Sequence, residues 1–366
     1  MKSRYQTMKK RPLMFLLVGA FLLAGCDKPR DKEKVQIMYR YSQIEEVINL
    51  TELEELKNKI TDKENFVLVS YADYTCSCWS VFRDHVLRNY VQTKKIPIYV
   101  IETELLDGDY RGLPIRKDLT NTPVIGIYEQ GVYKFGIDYK TKSDIFIERD
   151  KFNAWMGARI KDPLMTYITL DQVNNLITGN ESFLLNWSYS ICPDCVALDK
   201  KFMPNYIKSL KKAPKMPYYI IESKPLRDAG TWVDSKDIYG LSDKFNETSG
   251  YATGYVPTLQ IIKPDGNGAT YLENGNISPL IFDMLVFQND QLEKVGDIYK
   301  IKDSYYDGVR AKTYLGDYES EIGKVINPED VRELEYGGQT YIVFQPGARY
   351  NLHANYATKF FDYYWR

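Results

Sequence analysis

FLLNWSYSICPDC, residues 183–195, decides the reading of this chain. A short apolar run leads into Cys192-Pro193-Asp194-Cys195. Apolar residues then recur at three- and four-residue steps: Val196, Leu198, Phe202, Met203, Tyr206, Ile207 and Leu210. That spacing lays one buried stripe along a helix. The stretch therefore reads strand, tight turn, helix, with its cysteines at the helix start. There the unpaired backbone N–H groups and the helix dipole stabilise a thiolate on Cys192 and lower its pKa. A thiolate at a chain reversal attacks a disulfide, and Cys195 is close enough to resolve the mixed disulfide that forms.

The same pattern occurs earlier, as FVLVSYADYTCSC over residues 66–78, followed by Trp79, Val81, Phe82, Val86 and Leu87. Aligning Cys76 with Cys192 sets Leu68 on Leu184, Val69 on Leu185, Ser70 on Asn186 and Tyr71 on Trp187, and leaves Phe66 one residue from Phe183. A second pair of segments supports the repeat. Thr122-Pro123 opens an apolar strand, a turn with Gly131 and another strand. Val256-Pro257 opens a similar strand and a turn with Gly266.

Strand, CxxC, helix and then X-Pro, strand, turn, strand resembles the thioredoxin fold, and the chain looks like two such domains in tandem. The resemblance covers most of residues 41–275. It implies an α/β architecture, with the second domain carrying a long β-rich insertion or extension near the C-terminus. It also implies that each proline is cis and lies beside its cysteine site, the preceding residue offering backbone groups to a bound substrate. Carried over, the substrate-binding edges are Val256-Pro257 and Thr122-Pro123. X-Pro bonds are nearly the only ones where a cis peptide is tolerated in energy.

The N-terminus carries Lys2, Arg4, Lys9, Lys10 and Arg11, then an apolar run over 13–23, then Leu23-Ala24-Gly25-Cys26. A basic stretch, a short apolar stretch and small residues describe a secretory signal, too short for a stable membrane span. Leu-Ala-Gly-Cys looks like a bacterial lipobox, which makes Cys26 the expected lipidated residue and places the protein at the outer face of the plasma membrane. The formal charge is −1 over the whole chain; residues 1–25 hold five bases and no acids, so the remainder carries −6. A mildly acidic chain without a basic cluster excludes nucleic acid as a natural partner.

The five cysteines are Cys26, Cys76, Cys78, Cys192 and Cys195. With Cys26 lipidated, the others form two close pairs. A chain this long has room for a large core and needs no disulfide staple, and a CxxC bridge closes too small a loop to stabilise much. Local pairs at repeated positions argue for redox work. Zinc needs four ligands, and the chain has two histidines and no second CxxC; neither a metal nor an organic cofactor is expected. His85 reads as a surface or capping residue and His353 as incidental. For Cys76/Cys78 three readings stand: a second redox centre, whose small ring is strained and hence oxidising; a structural remnant; or a clamp for a soft metal such as Cu(I).

The expected organisation is a signal over 1–25, a charged tether over 26–40, a first domain over 41–160 and a second over 161–366 with an extra segment at 276–350. An amphipathic helix is expected over 44–60, a closing helix over 151–160, Thr169 as an N-cap, strands at 280–287 and 339–344, and a terminal helix over 351–366. The longer segment between Pro225 and Gly254, with Trp232, is expected near the active site. Thioredoxins carry a buried acid six residues before the first active-site cysteine. The ungapped match puts Asn186 there, and Ser70 in the first domain, and neither titrates usefully. Asp194 is expected to oppose ionisation of its neighbours.

The leading expectation is a membrane-anchored extracytoplasmic thiol–disulfide oxidoreductase. Its catalytic residues are Cys192 and Cys195, with Cys76 and Cys78 as a second centre. Its partners are the thiols or disulfides of exported proteins, a redox partner protein and the membrane through Cys26. The other classes are a non-enzymatic binding lipoprotein on a thioredoxin scaffold, and a Cu(I) metallochaperone built on Cys76/Cys78.

Overall fold

The computed structural model describes residues 33–72, 77–106, 122–232, 256–264, 269–270, 280–281, 292–301, 325–345 and 347–366. Two short strands open it, β1 (Val35–Gln36) and β2 (Tyr39–Tyr41), followed by β3 (Ile48–Leu50), α1 (Leu53–Thr61) and β4 (Phe66–Tyr71). Helix α2 is continuous through Cys78–Val81, a π-helical turn over Phe82–Leu87, and Arg88–Lys94. Then come β5 (Tyr99–Glu102), β6 (Val124–Glu129), β7 (Val132–Asp138), α3 (Ser143–Ile147) and α4 (Arg149–Gly157). The sheet order is β3-β5-β4-β6-β7, with β4 parallel to β5 and antiparallel to β6. The turn between β6 and β7 requires glycine: Gly131 sits at φ +74°, and a Cβ there would collide with the Ile60 carbonyl oxygen.

The second unit repeats this order. β8 (Ile160–Lys161) and β9 (Met165–Tyr167) precede α5 (Leu170–Thr178) and β10 (Phe183–Ser188). Helix α6 runs through Pro193–Val196, a π-helical turn at Ala197–Phe202, and Met203–Ser209. β11 (Tyr218–Glu222), α7 (Lys224–Asp228), β12 (Thr258–Pro264), β13 (Ala269–Thr270) and β14 (Leu280–Ile281) follow. Its strands lie in the order β13-β12-β10-β11-β9, the counterpart of β7-β6-β4-β5-β3, with β2 added beside β9. The fold is α/β, two thioredoxin-like units in tandem.

Each sheet has apolar packing on both faces. On the first, Leu56 of α1 packs with Phe66, Leu68 and Tyr128; the other face joins Phe82, Val86 and Val91 of α2 to Phe152 and Met156 of α4. On the second, Val173 of α5 packs with Phe183, Leu185 and Trp187. Its opposite face gathers Leu198, Phe202, Met203 and Tyr206 of α6 around Leu184, Tyr218 and Leu259. Alternation along β10 sets this division: residues 183, 185 and 187 face α5, and 184, 186 and 188 face α6.

The C-terminal segment adds β15 (Leu292–Val295), β16 (Ile298–Ile301) and β17 (Val325–Ile326) as one antiparallel sheet, then the hairpin β18 (Val331–Tyr336) and β19 (Gln339–Phe344), then α8 (Ala348–Tyr364). Helix α8 places Phe360 and Phe361, followed by Trp365, in the core with Tyr206 and Tyr218. It covers the second sheet as α4 covers the first. Burial of aromatic side chains of this size contributes about 2–3 kcal/mol each.

Several local expectations change. The stretch taken as the end of a tether forms strands: Val35 pairs with Ile160 in a separate two-stranded sheet, and Tyr39–Tyr41 joins the second sheet beside Met165–Tyr167. Its charges obscured the alternating Val35, Ile37 and Tyr39. The helix expected over 44–60 is a strand followed by α1, because Ile48–Leu50 pairs with Tyr99–Ile101 and that pairing overrides the helical spacing. The closing helix α4 ends at Gly157, and Ile160 belongs to β8. Thr169 caps α5 as read, accepting from the Gln172 backbone N–H at 3.3 Å. Of the strand expected over 280–287, Leu280–Ile281 is present as β14 and the rest lies outside the described residues.

Candidate active site

Strand β10 ends at Ser188 and the chain reverses at Tyr189-Ser190-Ile191, where the Cys192 N–H donates to the Tyr189 carbonyl at 2.9 Å. Cys192 is the N-cap of α6, with extended backbone (φ −78°, ψ 126°), and Pro193 occupies the first helical position, where its missing N–H costs nothing. Neighbouring chain pins the turn. The Ser223 N–H donates to the Ser188 carbonyl at 2.8 Å. Glu222 Oε1 accepts from the Ser190 N–H at 3.2 Å and the Lys224 N–H at 2.8 Å.

This geometry separates the two thiols. Cys192 is half-buried, and Cys195 is buried, with the Tyr189 N–H donating to its sulfur at 3.2 Å. The Cys195 thiol donating to the Cys192 sulfur is the largest influence on Cys192. With the N–H groups of Cys195 and Asp194 and the charge of Arg227, it lowers the Cys192 pKa to about 6 against the opposing effect of burial. Burial pushes the Cys195 thiol strongly upward, as do its donation to Cys192 and the Cys192 charge. The expectation that Asp194 opposes ionisation is corrected in one respect: its backbone N–H stabilises the thiolate.

The Val256–Pro257 and Thr122–Pro123 bonds are cis. Cys192 Sγ lies 3.5 Å from the Val256 carbonyl oxygen. In the first unit Cys78 Sγ lies 4.0 Å from the Thr122 carbonyl oxygen. Cys78 is disulfide-bonded; Cys76 and Cys26 lie outside the described residues, as does the segment 233–255. Among the described residues, Cys192 and Cys195 are free thiols.

The strand register corrects the alignment of the repeats. Ser70 pairs with Val124 just after the first cis-proline, and Trp187 with Thr258 just after the second. Phe66 therefore matches Phe183, and Val69, not Ser70, matches Asn186. The helices keep the original offset: Trp79, Phe82, Val86 and Leu87 are buried where Cys195, Leu198, Phe202 and Met203 are. The first turn is thus one residue longer, and the expectation of matching strands failed because an ungapped alignment cannot show it. Trp79 fills the slot of Cys195 and stacks on Tyr71 at 4.1 Å.

Two residues absent from the sequence reading complete the site. Asp199 lies four residues after Cys195 on the buried face of α6. Ser188 Oγ donates to its Oδ2 at 3.1 Å, and Oδ1 is buried without a hydrogen-bond partner. Burial raises its pKa to about 7, the Ser188 hydrogen bond opposes this, and the charges of Glu222 and Cys192 add to it. Its signal in the sequence was an acid within an apolar helical stripe. Arg227 of α7 donates to Ser223 Oγ at 3.3 Å, and its guanidinium lies 4.9 Å from the Tyr189 ring and 4.5 Å from the Trp232 ring. Trp187 is core, its Nε1 donating to Gln260 Oε1 at 2.7 Å.

No protein-family model matches the chain, and no curated protein matches it. Solved structures do. Human ERp44 in one crystal form matches at 10% identity and TM-score 0.34, over 61% of this chain and 50% of that one. The bb fragment of ERp72 matches at 12% identity and TM-score 0.31, over 62% and 90%. Full-length ERdj5 matches at 11% identity and TM-score 0.23, over 61% and 29%. This chain thus spans half of ERp44 and less of ERdj5. Among the described residues, no helix is long and apolar enough to cross a membrane.

Proposed function

We propose that the protein is a thiol–disulfide oxidoreductase acting through Cys192 and Cys195. One observation carries this reading: a half-buried cysteine whose pKa is lowered to about 6 sits beside a buried one whose pKa is raised. The first is ionised at neutral pH and open to a substrate. The second stays protonated until it is needed.

The Cys192 thiolate attacks one sulfur of a substrate disulfide. A Cys192–substrate disulfide forms, the substrate S–S bond breaks, and the other substrate sulfur leaves as a thiolate. Cys195 then loses its proton and attacks the Cys192 sulfur. The Cys192–Cys195 bond forms and the second substrate thiolate leaves. Two electrons pass from the protein dithiol to the substrate, and the reverse sequence oxidises a substrate dithiol. Stabilising the Cys192 thiolate favours the dithiol state and makes the disulfide a stronger oxidant. The Val256 carbonyl beside Cys192 supports a substrate segment docking along that edge.

The fine identity rests on sequence. The basic and apolar N-terminus with Cys26 supports a lipid-anchored protein at the outer face of a bacterial plasma membrane, working on exported proteins with a redox partner. The Cys76/Cys78 pair is a second centre in this reading, at the position in the first unit that corresponds to Cys192 and its turn. The test is turnover of a protein disulfide with a small thiol as electron source. Cys192→Ser should abolish catalysis, and Cys195→Ser should stop it at a trapped mixed disulfide. Equal rates with and without the protein would refute the reading and leave a binding lipoprotein.

A further inference from the structure

We propose that Asp199 is the base that receives the Cys195 proton in the resolving step, held on the helix facing the active-site strand. The inference deepens the oxidoreductase reading and rests on it.

Four observations carry it. Asp199 lies one helical turn after Cys195 on the same buried face of α6. One carboxylate oxygen is fixed by Ser188, the last residue of β10, and the other is buried and unpartnered. A carboxyl oxygen left without a partner in the interior costs free energy, and this one is open to accept a proton. Asn186, the alternate strand residue facing the same helix, does not titrate in the useful range.

The surroundings of Asp199 are nearly all neutral. The Tyr39 hydroxyl of β2 donates to the Asp199 backbone carbonyl at 3.1 Å. Tyr41 of β2, Tyr167 of β9 and Tyr218 of β11 sense the Asp199 charge, and burial first, then that charge among others, raises their own pKa values. The other ionisable groups coupled to Asp199 by charge are Glu222 at the end of β11 and Cys192 and Cys195 on α6. Burial and the charges of Glu222 and Cys192 set Asp199 near 7. An aspartate of ordinary acidity is a poor base for a thiol, and one held near neutrality is a better match.

Asp199 carboxylate takes the proton of the Cys195 thiol. The Cys195 thiolate attacks the Cys192 sulfur of the mixed disulfide, the Cys192–Cys195 bond forms, and the substrate thiolate leaves. Solvent protonates that thiolate, and Asp199 returns its proton to water. In the opposite direction, protonated Asp199 supplies the proton to Cys195 as it leaves.

The experiment uses an aromatic disulfide that releases a coloured thiolate, with the chain in a Cys26→Ser background. Release has two phases, attack by Cys192 and then resolution by Cys195. In the otherwise unaltered protein the second phase should rise with pH about a midpoint near 7. Asp199→Asn should keep the first phase, slow the second about 100-fold at neutral pH and remove that midpoint. Ser188→Ala should move the midpoint up by about 0.7 pH unit, the worth of one hydrogen bond. It stands in for Asp199→Asn should that variant not fold. A normal first phase, with a second phase unmoved by either variant, overturns the role of Asp199 alone. Absence of the first phase overturns the oxidoreductase reading, and the role of Asp199 falls with it.

Discussion

Replacing Asp199 with asparagine should make the protein more stable as pH rises, relative to the native chain. A free aspartate ionises near 3.8, and burial moves Asp199 to about 7. Between those values the folded state holds a proton that the unfolded state has released. Folding stability therefore falls as pH rises through this window, by about 1.36 kcal/mol per pH unit. The contribution is fully present below pH about 4 and lost above about 7. From pH 5 to pH 8 the native chain should lose about 2.5 kcal/mol through this one group. The amide introduced by Asp199→Asn does not titrate, so the variant should not lose it. An amide that cannot satisfy all its hydrogen bonds costs about 1–3 kcal/mol at every pH and cancels in the comparison. The assay is urea unfolding of both proteins, reduced, at pH 5 and pH 8. The stability difference should shift towards the variant by about 2.5 kcal/mol at the higher pH. A difference independent of pH would show that Asp199 is ionised throughout, and would refute the reasoning.

Alkylation of Cys192 followed by mass spectrometry should rise about a midpoint near pH 6, while buried Cys195 stays unmodified in the folded protein; equal labelling of both contradicts the assignment of roles. Arg227→Ala removes a positive charge that favours the thiolate, so the same titration should move upward by less than about one pH unit, and a downward move would show Arg227 acting otherwise. Trp365→Ala removes a fully buried side chain that donates to the Met216 carbonyl at 2.9 Å; a loss of about 3–5 kcal/mol in unfolding is expected, and a loss below about 1 would place α8 outside the core. Lys200 reaches Asp62 at 2.6 Å and Glu64 at 3.4 Å, joining α6 to the end of α1. These groups are partly exposed, so Lys200→Ala should cost no more than about 1 kcal/mol, less in high salt, and a cost above about 2 would show a stronger coupling between the units.

The second site was legible because its signals are local. The alternation of β10, the turn at Cys192-Pro193-Asp194-Cys195 and the stripe on α6 each lie within one short window. Asp199 escaped because acids on helices are ordinarily solvated, and its burial depends on Tyr39, Tyr41 and Tyr167 arriving from distant strands. The strand β2 escaped for a related reason: three residues in a charged stretch become a strand only when β9 offers an edge. The extra residue in the first turn was hidden because a shift of one between strand and helix leaves both patterns intact. The sheet register, a long-range property, reveals it.

The most direct test of the account is the reduction potential of the Cys192–Cys195 pair, measured by equilibrating the chain with glutathione buffers and trapping thiols at each ratio. The account predicts one reversible two-electron transition for this pair. It should lie on the oxidising side of ordinary structural disulfides, persist in Cys76→Ser and vanish in Cys192→Ser. A pair that stays reduced, or stays oxidised, across the whole glutathione range would contradict it.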